Sequence, residues 1–190
     1  MSYLLVDGTV IQKQKTLDPN SRQTYNVALE DAQLDSAAFS TVVDSDVRIV
    51  AERSMYWPQD WTEAHNSPGA TETGTKWGVA GGQEGGSFGA QTYVLVANTS
   101  TFAGTARVTV LQEGSAPIVQ EFPMAPSSRT NVPIGTIGAF SSVMDSHYGV
   151  IVESIGASPA KIVVERATYS NDSNGNVWAA GSVALATKLQ

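Results

Sequence analysis

A chain of 190 residues with 42% hydrophobic and 15% charged residues has room for one or two domains and can bury a core without covalent staples. A net charge of −7, with only 11 Lys and Arg and no run of them, excludes a basic face for nucleic-acid phosphates. The absence of cysteine excludes disulfides and thiolate-bound metal, and leaves the redox compartment open.

No stretch carries the i, i+3, i+4, i+7 apolar recurrence of an amphipathic helix over several turns. Short runs rich in Val, Ile, Thr and Tyr recur instead, with turn residues between them, so the prediction is all-β. The first run, 3–6, has no basic leader and is too short for a signal peptide or a membrane span, so no membrane insertion is expected. It is followed by a tight turn at Asp7-Gly8 and a strand over 10–17. Asp18-Pro19-Asn20-Ser21 turns the chain into a strand over 24–27, residues 32–38 form a single helical turn, and a strand follows over 47–56. Further strands are predicted over 92–97, 106–111, 118–122, 129–134, 148–154 and 161–169, with one helical turn over 137–142. The architecture these favour is an antiparallel β-sandwich, with a closed β-barrel as the alternative.

The elements repeat. Ile49-Val50-Ala51-Glu52-Arg53-Ser54-Met55-Tyr56 returns as Ile162-Val163-Val164-Glu165-Arg166-Ala167-Thr168-Tyr169. Gly8 matches Gly114, Ser21-Arg22 matches Ser128-Arg129, and Phe39-Ser40 matches Phe140-Ser141, all in the same order. Residues 77–190 then hold one complete repeat, and residues 1–76 only its later strands. The chain reads as a piece cut from a longer array. A sandwich lacking its first strands leaves open edges and an uncovered apolar face, so the two halves are expected to touch intimately or to be completed by strands of a second chain.

Val50-Ala51-Glu52-Arg53-Ser54-Met55-Tyr56-Trp57, the Gly-rich stretch after Trp77, Thr92-Tyr93-Val94-Leu95-Val96-Ala97-Asn98 and the Ser-Arg before a β run together resemble a bacterial family of unknown function. Its modules occur, often in tandem, in large secreted or cell-surface proteins. The resemblance covers nearly the whole chain and implies a β-sandwich accessory or adhesion-type module on an extracellular protein, with no activity to carry over. The later repeat has Thr168-Tyr169-Ser170 where the earlier has Met55-Tyr56-Trp57.

Neighbours on a strand point to opposite faces, so Glu52 and Arg53 cannot pair side by side, nor can Glu165 and Arg166. The repeated Arg22 and Arg129 are the expected partners of Glu52 and Glu165, in structural ion pairs that offset carboxylate desolvation. The functional alternative makes Glu52 and Glu165 a glycosidase pair, which requires about 5 to 10 Å between them in one cleft. Repetition favours the structural role, because residues kept in each repeat more often hold the repeat together.

Trp57 and Trp61 flank Pro58-Gln59-Asp60 and are the candidate ligand-binding residues, offering flat faces to sugar rings or a protein partner; the alternative is that one indole covers the core and the other packs on the next module. His65 and His147 fall in unlike contexts without a two-histidine metal spacing, and Asp145-Ser146-His147 has no nucleophile elbow beside it. Gly81-Gly82-Gln83-Glu84-Gly85-Gly86 lacks the Lys-Ser/Thr of a phosphate loop and is read as a flexible loop. Asn171-Asp172-Ser173-Asn174-Gly175-Asn176 is read as a turn and not a calcium site, lacking the terminal Glu. No metal and no cofactor is expected.

The expectation is a non-catalytic extracellular or cell-surface β-sandwich repeat module, for spacing, adhesion or partner interaction. Its partners would be neighbouring modules or a second copy of itself. The alternative is a carbohydrate-active protein, either a glycan-binding module or a glycoside hydrolase.

Overall fold

The computed structural model describes residues 1–57 and 61–190. In the first part of the chain, β1 (Ser2–Leu5), β2 (Val10–Gln12) and β3 (Phe39–Val42) form an antiparallel sheet in the order β2-β1-β3, and β4 (Glu52–Trp57) pairs with β5 (Glu63–Pro68) in a hairpin. Gly8, with φ at +88°, supplies the positive φ that the β1–β2 turn requires, and Asp7 Oδ1 accepts the Thr9 amide across it at 2.8 Å. Tyr3, Leu34 and Ile11 form a small core here, and Phe39 packs edge-on against Tyr3 with ring centroids 5.6 Å apart.

The remainder contributes β6 (Lys76–Glu84), β7 (Gln91–Asn98), β8 (Gly104–Leu111), β9 (Ile118–Met124), β10 (Ser128–Pro133), β11 (Ser146–Ile155), β12 (Ile162–Ser170), β13 (Ala180–Leu185) and β14 (Thr187–Lys188). These make a five-stranded sheet, β14-β6-β11-β8-β9, facing a four-stranded sheet, β10-β7-β12-β13. Every ladder is antiparallel. Alternation along the strands sends Val94 and Val96, Val108 and Val110, Val150 and Val152, and Ile162 and Val164 into the shared interior, where each is at most 1% exposed. Phe140 and Val143, from the 3-10 turn 138–143, close one end of this core. The sandwich expected from the sequence is therefore the fold, and no sheet closes into a barrel.

The two parts of the chain share features of strand order. The sheet β2-β1-β3 has the same connectivity as β9-β8-β11, a hairpin followed by a returning strand on the other side of its first member. The hairpin β4–β5 corresponds to β12–β13, and the register agrees. Ala51 O accepts from Gly69 N as Val164 O accepts from Ala186 N, so Glu52 lies opposite Pro68 as Glu165 lies opposite Leu185. Among the described residues before β6 there is no counterpart of β6 and β7, of which β6 flanks the outer side of β11 and β7 lies between β10 and β12.

Several sequence expectations require correction, and the missing ladder partner β7 explains two of them. Residues 24–27 do not form a strand: the segment matched to β10 through Ser21-Arg22 is irregular and mostly exposed, because the ladder partner of β10 is β7. The 47–56 strand begins only at Glu52, and Ile49 and Val50 stand 38% and 90% exposed, whereas their counterparts Ile162 and Val163 are fully buried and half-buried. The strand over 10–17 stops at Gln12. Phe39-Ser40 and Phe140-Ser141 are not equivalent either, since the former lies in β3 and the latter in a 3-10 turn.

The Gly-rich stretch is also not a loop. Gly81, Gly82, Gln83 and Glu84 belong to β6, and the turn proper is closed by a Gly85–Ala90 bridge. Gly82 is needed because the Tyr148 ring lies where a side chain would go: an added Cβ would sit 2.3 Å from it. β3, β5, β13 and β14 gave no strand signal in the sequence.

Candidate interaction site between the repeats

The candidate residues gather where the partial repeat rests on the outer face of the four-stranded sheet. On β4 and β5 the residues turned toward that sheet are Arg53, Trp57, His65 and Ser67; on β12 they are Glu165, Ala167 and Tyr169. Glu165 is the polar centre. One carboxylate oxygen accepts from Ser67 Oγ at 2.5 Å, and the other lies 3.5 Å from Arg53 Nη2. Arg53 Nε is buried without a hydrogen-bond partner, and its contact with Glu165 is an ion pair rather than a hydrogen bond.

The predicted pairing of Glu165 with Arg129 is therefore replaced. Arg129 donates to Asn131 Oδ1 at 2.6 Å and to the carbonyl of Phe39 at 2.5 Å, tying β10 to β3. Burial lowers its pKa to about 10, with Arg53 adding to the fall and Glu165 opposing it, so the three charges still form one electrostatic group. Glu52 and Arg22 are both exposed, and among the described residues no ion pair joins them. Because Arg53 points at Glu165, its neighbour Glu52 points away, so the two glutamates do not share a cleft as a glycosidase pair would.

Around this group lies an aromatic layer. Trp57 packs edge-on against Tyr169 with centroids 5.5 Å apart and donates its indole N–H to the carbonyl of Trp178 at 2.7 Å. Tyr169 stacks on Trp178 at 4.9 Å, and Tyr93 meets both rings edge-on. His65 Nε2 lies 3.2 Å from Tyr169 Oη. Burial, and then the Arg53 charge, hold the His65 pKa below the usual imidazole value, so the ring is neutral here at neutral pH.

Trp57 is thus the indole that covers and joins. Trp61 is 69% exposed and pairs with Tyr56, itself 59% exposed, at a centroid distance of 5.9 Å. Pro58-Gln59-Asp60, between the two tryptophans, lies outside the described residues.

The remaining candidates have local partners. Asp145 accepts the Gly86 amide, Ser146 donates to the Val143 carbonyl, and His147 is exposed, so no triad is assembled from them. Asp172 accepts from the Asn174 and Asn176 amides and from the Asn176 side chain, closing its own turn. Sequence reasoning missed Glu84, 2% exposed, which accepts from Thr92 N at 2.9 Å and Tyr148 Oη at 2.8 Å; burial raises its pKa despite both bonds. Its place among glycines had read as loop.

No family model matches the chain, and no curated protein does. Among solved structures, the crystal structure of Thermotoga maritima 1070 is similar over 62% of this chain and 97% of that one, with 17% identity and a TM-score of 0.51. That share has the size of the complete repeat, and the likeness is one of fold. The Anabaena sensory rhodopsin transducer matches over 56% of this chain and 95% of its own, at 15% identity and a TM-score of 0.43.

Proposed function

We propose that the chain is a non-catalytic, extracellular β-sandwich repeat module that acts by docking neighbouring modules and presenting them in a fixed relation. The observation that carries this reading is the use of Glu165, Ser67, Arg53 and Trp57. These four residues are consumed in holding one part of the chain against the other, while Glu52, Arg22 and Trp61 stay exposed. The tandem arrangement in large surface proteins, implied by the family resemblance, is the setting in which such docking is useful.

Protease shaving of intact source cells is expected to release peptides of this chain; finding them only after lysis overturns the extracellular placement. Mixed polysaccharides incubated with the purified chain should show no new reducing ends.

A second reading, a glycan-binding module, draws on one specific observation: the exposed pair Tyr56 and Trp61. Binding on a glycan array that is lost in Trp61→Ala and kept in Trp57→Phe would favour it over the first.

A further inference from the structure

One imidazole lies in the interface between the β4–β5 hairpin and the four-stranded sheet. His65 stands directly opposite Met55 in the hairpin, with Arg53 and Trp57 as its diagonal neighbours on the same face. Its ring centroid lies 5.0 Å from that of Trp57 and 6.0 Å from that of Tyr169. Nε2 is 3.2 Å from Tyr169 Oη, and Nδ1 is buried with no hydrogen-bond partner.

A neutral imidazole suits this place, because the contact with Tyr169 leaves one ring nitrogen unmet and no charge to solvate. An imidazolium does not. Both of its nitrogens are donors, and the Nδ1 hydrogen would find no acceptor in the interface. Its charge would also join two guanidiniums, since Arg53 of β4 acts on the ring directly and Arg129 of β10 belongs to the same electrostatic group. The one carboxylate that opposes them, Glu165 of β12, is already engaged by Ser67 and Arg53.

The other groups around the ring do not relieve this. Glu63 shares the inward face of β5 two residues away, and among the described residues no ion pair joins it or Glu165 to His65. Tyr169 of β12 and Tyr93 of β7 are phenols whose pKa values burial raises, so they stay uncharged. β13 supplies no titratable side chain, and Asp172, on the segment between β12 and β13, is tied into its own turn.

We propose that docking of the β4–β5 hairpin is acid-sensitive and that His65 makes it so: a proton taken up by this imidazole loosens the hairpin from the sheet while the complete sandwich stays closed. Burial first and Arg53 second hold the docked pKa down, so the docked state favours the neutral ring. The contribution of His65 to docking is therefore full above the ordinary imidazole value of 6.5, and is lost as pH falls through it toward the docked value. Trp57 and the Glu165 pair continue to attract, so the response is graded, bounded by about tenfold per pH unit for a single proton. The proposal rests on the docking geometry and not on an extracellular placement.

The experiment is an NMR titration of the full chain from about pH 7.5 to about pH 5.5, above the ordinary carboxyl range. His147, exposed on β11, is the internal reference. Glu84, whose pKa is raised toward this range, lies in the other core, and its protonation acts with the opposite sign. The His65 ring is expected to titrate below that of His147. Over the same range the opening constants of the hairpin amides, corrected for intrinsic exchange, should rise about three- to tenfold, with those of 94–96 and 150–152 unchanged. His65→Gln keeps a polar side chain near Tyr169 and takes up no proton, so its hairpin opening should be flat with pH.

A His65 ring that titrates with or above His147 overturns the proposal. So does hairpin opening that ignores pH in the wild-type chain, or a rise that persists in His65→Gln and thus belongs to another group. If His65→Gln fails to fold, the wild-type titration decides: the indole N–H of Trp57, bonded to the Trp178 carbonyl, must lose protection along the His65 curve for the proposal to stand.

Discussion

At the level of single residues, Glu165 is a carboxylate whose partners come from the other repeat. Glu165→Ala would leave Arg53 and Arg129 without their shared counter-charge and would leave Ser67 Oγ only its 3.2 Å bond to the Pro68 carbonyl. With Arg53 about one-third exposed, solvent screening discounts the ion pair. The expected loss is about 1–2 kcal/mol in urea unfolding, mostly from the unmet polar groups. Glu84 gives a different signature. Its pKa is raised in the folded state, so its favourable contribution is present below the ordinary carboxyl range and is lost as pH rises through the folded value. Glu84→Gln should accordingly flatten the thermal midpoint against pH, with its gain over wild type appearing at neutral pH and vanishing in mild acid.

Gly82→Ala tests the close approach of β6 to Tyr148. The added methyl has no room at 2.3 Å, and the expected cost is about 1–3 kcal/mol in urea unfolding, with the sandwich retained by circular dichroism.

At the level of elements, the hairpin β4–β5 is held by its packing more than by its own ladder, since an isolated two-stranded hairpin is marginal in water. Trp57 carries much of that packing through Tyr169 and the Trp178 carbonyl. Trp57→Ala is expected to cost about 2 kcal/mol and to speed chymotryptic cleavage within 43–69 while the complete repeat stays resistant.

What the sequence disclosed at this scale follows from how strands announce themselves. Val-rich runs such as Tyr93-Val94-Leu95-Val96 and Val150-Ile151-Val152 were legible because a buried sheet needs them. β5, with Glu63-Ala64-His65-Asn66-Ser67-Pro68, was not, because it pairs on one side and packs with polar groups. β6 was hidden by glycines that exist to admit the Tyr148 ring. The segments 24–27 and 47–51 erred in the opposite direction: they carry strand-forming residues whose ladder is absent. Among the site residues, the repeat drew attention to Glu165 and matched it with Arg129. Its partner Arg53 was not, because the repeat pattern pointed to Arg129 and only the docking geometry selects between two arginines.

For the whole molecule, the two repeats differ in what they bury. The complete sandwich closes over Val, Ile, Phe and Met side chains from both sheets, while the partial repeat relies on Tyr3, Leu34, Ile11 and its contact with the neighbouring sheet. Calorimetry should resolve two transitions, the earlier one removing the protection of 2–42 from hydrogen exchange and the later one abolishing the β signal. A single cooperative transition would mean that the contact through Glu165 couples the repeats more strongly than their separate cores divide them.

Pro68 gives the hairpin β4–β5 a direction. Backbone groups of Ala64, Asn66 and Pro68 point away from β4, and the ring nitrogen of Pro68 has no hydrogen to give. Growth of the sheet past β5 therefore meets a terminator, whereas growth past β4 does not. The β5 edge thus carries its own barrier against edge-to-edge association on that side of the hairpin.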